Sequence, residues 1–227
     1  VWQQLPRYLF SKSYPIAIQW SKIGKLTPWL IQFLKNCNTL SMKKTALHTS
    51  YLLKRALPNY QDLLQEIGSQ NLLTHRGVLY VWIDPQQQPN STQINIRSES
   101  GVEQIKLSGE EIRELEPNLS NQIQGGWYFP KAHHTLDPDL ILEKLYQSFL
   151  SRGGQFQKEE VTSIKPREDT TQVNNYEYDQ LVVCTGAFSK FLVKQIEGQF
   201  IPLETERGYH IEFIKKNELL SRPTSLV

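Results

Sequence analysis

A strand, a small-residue turn and a helix follow one another near the C-terminal end, and this stretch limits the possible folds more than any other. Leu181 to Cys184 is a short, apolar, β-branched run, which is typical of a strand buried on both faces of a parallel sheet. A Thr-Gly-Ala turn follows, and residues 188–196 carry apolar side chains at the four-residue spacing of a helix. Such a turn brings backbone N–H groups close to a bound anion, although small residues also suit tight packing without a ligand. The stretch therefore predicts an α/β unit, and its turn could serve either anion binding or tight packing.

Composition restricts the class of protein further. The 227 residues carry a formal net charge of +2 with scattered basic side chains, so nothing indicates a nucleic-acid partner. Cys37 and Cys184 stand in unrelated contexts, Cys184 within the predicted core, and they indicate neither a disulfide framework nor a zinc site. No apolar run approaches the roughly 20 residues needed to cross a bilayer, and no segment has the pattern of a signal peptide. We therefore expect a cytoplasmic globular protein without a bound metal.

Hydrophobic periodicity, capping residues and Pro or Gly breaks predict the other elements of the chain. The predicted helices occupy residues 27–38, 43–67 (kinked or divided at Pro58 and stopped by Gly68), 108–115 and 140–152. The predicted strands occupy residues 76–83, 94–96 and 125–130, a meander at 161–164, 172–176 and 179–184, and an alternating run at 209–213.

Several motifs in fixed order resemble the D-amino-acid oxidase/dehydrogenase superfamily of flavoproteins. The sequences VVCTGAFS and PLETERGYH resemble family segments that lie against FAD and lead back into the substrate domain. IRELEPNLS, GGWYFP and LDPDLILEKLYQ also occur in the family order, so the resemblance covers roughly residues 2–213. The form of these motifs is close to that of D-amino-acid-dehydrogenase-like members.

The resemblance implies a mixed α+β or α/β fold. Part of an FAD-binding Rossmann-like domain would join a mixed-sheet substrate domain with flanking helices. The implied domains are 1–135 for substrate binding, 136–198 as a partial FAD-binding domain, and 199–227 as a return into the substrate domain. Full members open with a strand–GxGxxG–helix that holds the FAD pyrophosphate, and this sequence contains no GxGxxG. We therefore expect the central part of a longer flavoprotein, inactive by itself.

FAD is the cofactor that the resemblance implies, and four residues are carried over as its contacts. Val161 matches a family valine whose backbone contacts the adenine. Thr185, Gly186 and Ala187 match the turn that lies against the cofactor. By residue type alone Val161 would be an ordinary core side chain, so its assignment rests on the resemblance.

Three residues near the C-terminal end are candidates for catalysis. Oxidation of an amine by a flavin needs an anchored substrate carboxylate, which an arginine with a tyrosine hydroxyl can hold. Arg207 and Tyr209 supply such groups, and the neighbouring His210 is the third candidate. Arg207 could equally pair with a neighbouring glutamate, His210 could fill a strand face, and the carboxylate-binding arginine of the family could lie outside this sequence. His133 and His134 do not suit a shared metal because they are adjacent, although one of them could line the active site.

The function implied by the resemblance is oxidation of the C–N bond of an amino acid, as in D-amino-acid dehydrogenases, giving a keto acid and ammonia. The partner is then a small amino-acid substrate, and the electron acceptor, oxygen or a quinone, stays open. A respiratory-linked member would associate peripherally with the inner membrane, although no amphipathic basic helix demands it. The alternatives are a sarcosine- or glycine-oxidase-like flavoenzyme, an enzyme acting on a hydroxy acid, and a non-catalytic α+β binding module.

Overall fold

A computed structural model of the chain describes residues 21, 23–196, 201–203, 205, 208–212 and 219–227. These residues form two compact units. The first unit consists of the described residues up to Ser148 together with those from Leu219 onward. The second consists of the described residues between Phe149 and Glu212.

Helices and sheets are mixed along the described chain, which confirms the predicted α+β class. The helices are α1 (Ile23–Asn36), α2 (Thr39–Leu53), α3 (Ala56–Glu66), α4 (Ser91–Glu99), α5 (Gly109–Leu115), α6 (Pro138–Ser151) and α7 (Ser189–Val193). Short 3₁₀ turns lie at Gln70–Leu72, Pro85–Gln87 and Gly186–Phe188. The strands are β1 (Leu73–Thr74), β2 (Val78–Trp82), β3 (Ile105–Ser108), β4 (Gly125–Phe129), β5 (His134–Thr135), β6 (Ile164–Pro166), β7 (Thr171–Val173), β8 (Tyr176–Tyr178) and β9 (Thr224–Leu226).

A mixed four-stranded sheet, in the order β3-β4-β2-β9, organises the first unit. β4 runs antiparallel to both β2 and β3, whereas β2 and β9 are parallel. The register sets Val81 opposite Gly126 on one face and Val78 opposite Phe129 on the other. Because successive residues of a strand point to opposite faces, β2 and β4 together build two different surfaces.

One face of this sheet is covered by α5 and carries the core. The buried cluster there consists of Leu79, Val81, Ile112 and Ile123. α5 starts where it was predicted, since Ser108 and Glu111 form a capping box in which each side chain bonds the backbone N–H of the other residue. A second buried cluster joins α3, the following 3₁₀ turn and α6 through Leu64, Leu72 and Ile141.

The long helical pattern of residues 43–67 is divided as predicted. α2 ends at Leu53 and α3 begins at Ala56, so the break falls one turn before Pro58. The proline ring collides with the carbonyl four residues earlier and offers no N–H, which explains the position of the break. Gly68, with φ of 64°, stops α3 as predicted, because only a residue tolerant of positive φ suits that position.

The second unit contains an antiparallel meander, β6-β7-β8, and the short helix α7. The predicted meander is therefore present, with its strands shifted along the sequence. The third predicted strand of the meander, at residues 179–184, is wrong: these residues have no regular structure, Val182 is 80% exposed, and β8 lies before them. A parallel strand needs neighbours, and in the described part of the chain only β2 and β9 pair in parallel. Cys184 is consequently exposed, not part of the core as predicted.

The other differences have local causes. Ile94 and Ile96 lie in α4, not in a strand, because Asn90 and Gln93 form a capping box that starts a helix. Residues 209–212 are without strand pairing, and Phe213 lies outside the described residues.

The start of α1 also differs from the prediction. α1 begins at Ile23, ahead of the predicted Thr27-Pro28 start, and Pro28 lies within the helix. The Thr27 hydroxyl bonds the Ile23 carbonyl at 2.8 Å, so Thr27 acts as a helical residue and not as a cap.

A buried ion pair joins the C-terminal segment to the rest of the first unit. Arg222 Nε donates to Glu116 Oε1 at 2.8 Å, and the two side chains are 14% and 3% exposed. The backbone N–H of Ser221 donates to Glu116 Oε2 at 2.9 Å, and its hydroxyl bonds Oε1. Burial by itself would raise the pKa of Glu116, but the hydrogen bonds from Ser221 and Arg222 outweigh it and hold the pKa below the ordinary 4.5.

Replacing Glu116 by alanine should remove about 3–5 kcal/mol from the free energy of unfolding, since Arg222 would stay buried without its carboxylate. Urea denaturation measures this loss, and Glu110→Ala, an exposed change in α5, serves as the control with an effect within about 0.5 kcal/mol. A group with a lowered folded pKa stabilises above its unfolded pKa, so the contribution of Glu116 should fade as the pH falls below the ordinary value. Equal effects of the two substitutions at pH 7 would contradict the role of the pair.

Candidate cofactor site

The segment around Val161 has no regular secondary structure, and the side chain of Asn174 fixes its path. Asn174 lies between β7 and β8 with φ of 50°, a conformation that asparagine adopts more readily than most residues. Its Oδ1 accepts from the backbone N–H groups of Thr162 at 2.9 Å and Ser163 at 3.2 Å. Its Nδ2 donates to the carbonyl of Glu160 at 2.9 Å. One side-chain amide thus holds the backbone on both sides of Val161.

Gln195, just after α7, holds the same segment from the other direction. Its Oε1 accepts from the N–H of Ile164 at 3.0 Å, and its Nε2 donates to the carbonyl of Thr162 at 3.2 Å. Residues 185–187 lead into the helix that ends just before Gln195. The two segments carried over as cofactor contacts are therefore connected by this amide and the short helix between them.

The backbone of Val161 itself is left available. In the described part of the chain, neither its N–H nor its carbonyl has a hydrogen-bond partner, although its neighbours from Glu160 to Ile164 each use at least one backbone group. A fixed backbone with a free donor and a free acceptor suits the edge of adenine, which offers an acceptor nitrogen beside an amino group. The residues present therefore fit the adenine end of FAD.

The Thr-Gly-Ala turn forms the entrance to α7. Gly186 has φ of 54°, which a residue with a side chain would adopt only with strain, and its Cα faces open space. Thr185 Oγ1 lies 3.1 Å from Ser189 Oγ, a contact that spans the 3₁₀ turn leading into α7. Ala187 is half-buried. The turn thus leaves open space beside Gly186, and its contact with a cofactor stays a prediction.

The three candidate catalytic residues are not gathered into a site by the described contacts. Arg207 lies outside the described residues. Tyr209 is 90% exposed, and His210 Nε2 lies 3.5 Å from Glu212 Oε1 at the surface. Their roles stay predictions.

His133 and His134 belong to the first unit and point to different partners. The His133 ring stacks on His75 with centroids 4.2 Å apart, and the His134 ring nitrogen lies 3.0 Å from Thr74 Oγ1. Both histidines line a cavity of about 590 Å³. Within the described ranges, no group of three or more His, Cys, Asp or Glu residues could hold a metal ion.

Sequence reasoning missed Asn174 and Gln195, which place the proposed contact residue. Asn174 carries a usable signal, because an Asn-Asn pair between two alternating runs is typical of a tight hairpin turn. Gln195 carries none, since its partners lie about thirty positions away in the sequence.

Comparisons with known proteins agree on the family. The family model described as FAD dependent oxidoreductase (DAO) matches residues 22–226. A D-amino-acid oxidase from Bradyrhizobium diazoefficiens is 31% identical over 93% of this chain and 51% of its own length. A D-amino acid dehydrogenase from Vibrio atlanticus is 25% identical over 90% of this chain and 51% of its own length. The chain thus spans about half the length of the curated relatives it matches.

Solved structures show the same fold. The glycine oxidase of Bacillus cereus matches with a TM-score of 0.51 at 20% identity, covering 69% of this chain and 44% of that protein. The L-proline dehydrogenase of P. horikoshii matches with a TM-score of 0.51 at 18% identity, covering 65% and 41%. In the described part of the chain, no helix is both long and apolar enough to span a bilayer.

Replacing Gln195 by leucine should loosen the Val161 segment, because the N–H of Ile164 and the carbonyl of Thr162 would lose their partner. A hydrogen bond contributes about 1 kcal/mol, so we expect hydrogen exchange at the Ile164 amide to accelerate about fivefold. Gln147→Leu is the matched control, since the Gln147 side chain donates to the exposed carboxylate of Glu143 and lies away from the Val161 segment in the sequence. Unchanged exchange at Ile164 in Gln195→Leu would show that the amide does not hold the segment.

Proposed function

The chain belongs to the DAO family of FAD-dependent oxidoreductases, and from this membership we propose that it forms part of an enzyme that oxidises the C–N bond of a D-amino acid. The products would be a keto acid and ammonia, released after water attacks the imine. The relatives named D-amino-acid oxidase and D-amino acid dehydrogenase support this substrate class. The observation that carries the proposal is the fixed backbone of Val161, which has no partner among the described residues and suits the adenine of the cofactor.

The residues of this chain would bind and orient, while the bound flavin supplies the redox chemistry. Val161 would hold the adenine through its backbone N–H and carbonyl. Thr185, Gly186 and Ala187 would lie against the cofactor at the entrance to α7. Arg207 and Tyr209 would hold the substrate carboxylate, which fixes the direction of the Cα–H bond.

The electron acceptor is a separate part of the proposal, and two candidates have support. Motifs of dehydrogenase form favour a quinone, whereas the 31% identical relative is named an oxidase and favours oxygen. Anaerobic reduction followed by rapid mixing with oxygen or with a soluble quinone would separate them. A quinone acceptor would also support peripheral membrane association.

Val161→Pro tests the cofactor contact, since proline removes the backbone N–H. Val161→Ala is its control, because it shortens the side chain and keeps the backbone. We expect the FAD dissociation constant of the natural protein that carries this chain to rise about tenfold for proline, as loss of one hydrogen bond near 1.4 kcal/mol implies, and little for alanine. Titration calorimetry measures both, with circular dichroism to establish folding. Equal effects of the two substitutions on the FAD dissociation constant would contradict the proposed backbone contact of Val161.

The activity itself is tested by anaerobic bleaching of the flavin absorption band in the same natural protein. The substrates are a panel of D-amino acids, their L-enantiomers, glycine, sarcosine and D-lactate. Reduction by D-amino acids alone supports the proposal. Reduction only by glycine or sarcosine would replace it with the glycine-oxidase type, reduction only by lactate would indicate a hydroxy-acid enzyme, and a flavin that none of them reduces would indicate a binding module.

A further inference from the structure

The second face of the central sheet carries a cavity that neither the core nor the proposed flavin contacts use. It has a volume of about 500 Å³ and lies in the first unit, between β2, β4 and the segment that follows α4. We name it the sheet-face cavity; its lining includes Val78, Tyr80, Arg97, Val102, Phe129 and Lys131. Its volume is in the range of sites that take small organic ligands, and most of its walls are apolar.

Arg97 is the unusual member of this lining. Its Cζ lies 5.4 Å from the centre of the Phe129 ring, so the guanidinium rests on an aromatic face of the sheet. Its Nη1 is buried and has no hydrogen-bond partner among the described residues. A buried charged donor without an acceptor is costly, and native structures seldom retain one without a reason.

The charge of Arg97 is also uncompensated. Lys131 and Glu103 also line the cavity, but Lys131 Nζ lies 3.1 Å from Glu103 Oε2, so these two opposite charges pair with each other. In the described part of the chain, no carboxylate comes within ion-pair distance of Arg97. Among the described residues the cavity therefore has one unmatched positive charge, on a group whose geometry fits a planar anion.

We propose that the sheet-face cavity binds a small organic acid with an apolar body. The carboxylate accepts a hydrogen bond from Arg97 Nη1, and the apolar body lies against Val78, Tyr80 and Phe129. The Tyr80 and Phe129 rings meet edge to face with centroids 5.5 Å apart, so they form a preformed aromatic wall. A carboxylate matches the single free charge, whereas a phosphate ester carries about −1.5 to −2 and would exceed it.

The test uses three probes on the whole chain without flavin, so it is independent of the proposed function. They are 3-phenylpropionate, the neutral 3-phenylpropionamide of the same shape, and D-phenylalanine. Titration calorimetry should show binding of the acid and at least tenfold weaker binding of the amide. Tighter binding of D-phenylalanine than of 3-phenylpropionate identifies an amino acid as the ligand, and the reverse identifies an acid without an amino group. Equal binding of acid and amide, or binding of neither, overturns the proposal.

Two substitutions place the binding at Arg97. Arg97→Gln should weaken the binding of 3-phenylpropionate at least tenfold. Arg97→Lys should weaken this binding by less, because lysine keeps the charge but loses the planar donors. Lys106→Gln is the matched control, since it removes an equal charge from an exposed position on β3, and it should change nothing. The acid should also raise the midpoint of thermal unfolding in the unaltered chain and in Lys106→Gln, but not in Arg97→Gln. Unchanged acid binding by Arg97→Gln overturns the assignment, and the acid–amide comparison decides the case if that variant does not fold.

Discussion

The antiparallel pairing of β2 with β4 is the interaction on which the first unit depends, because its register decides what each face of the sheet can do. On the core face, Gly126 leaves room for α5: a Cβ there would lie 2.7 Å from the Tyr80 carbonyl oxygen and 2.8 Å from Ile112 Cδ1. On the opposite face, the same register brings Phe129 beneath Arg97. A slip of one residue would exchange the two faces and lose both the core and the cavity.

The second unit relies on a different device, since its candidate cofactor segment is held by side-chain amides and not by a sheet. Asn174 and Gln195 satisfy the backbone on both sides of Val161, whose own backbone has no partner in the part of the chain that the structure describes. The resemblance implies from the sequence that Val161 contacts the adenine. Only the three-dimensional structure shows how the backbone N–H and carbonyl of Val161 are kept available for such a contact. Arg97 was likewise missed, because a single arginine in a polar-looking segment carries no signal until its ring partner is known.

Elements with strong local signals could be predicted, and elements that depend on distant partners could not. Pro58 divided the long helix and Ser108 started α5 as expected, because ring geometry and capping act within one helical turn. The strand prediction at Ile94 is wrong because Asn90 and Gln93, both readable in the sequence, form a capping box that starts a helix there. The strand prediction at residues 181–184 is wrong for another reason. Their apolar, β-branched character favours a strand, but strand formation requires neighbours that the local sequence does not specify.

The central claim is that this chain contributes a prepared backbone contact to the adenine of FAD. A crystal structure of the natural protein that carries this chain, determined with FAD bound, tests it most directly. The account predicts the adenine edge within hydrogen-bond distance of the N–H and carbonyl of Val161, with Asn174 and Gln195 still bonded to the flanking residues. An adenine bound elsewhere, with the backbone of Val161 paired to other protein groups, would contradict it.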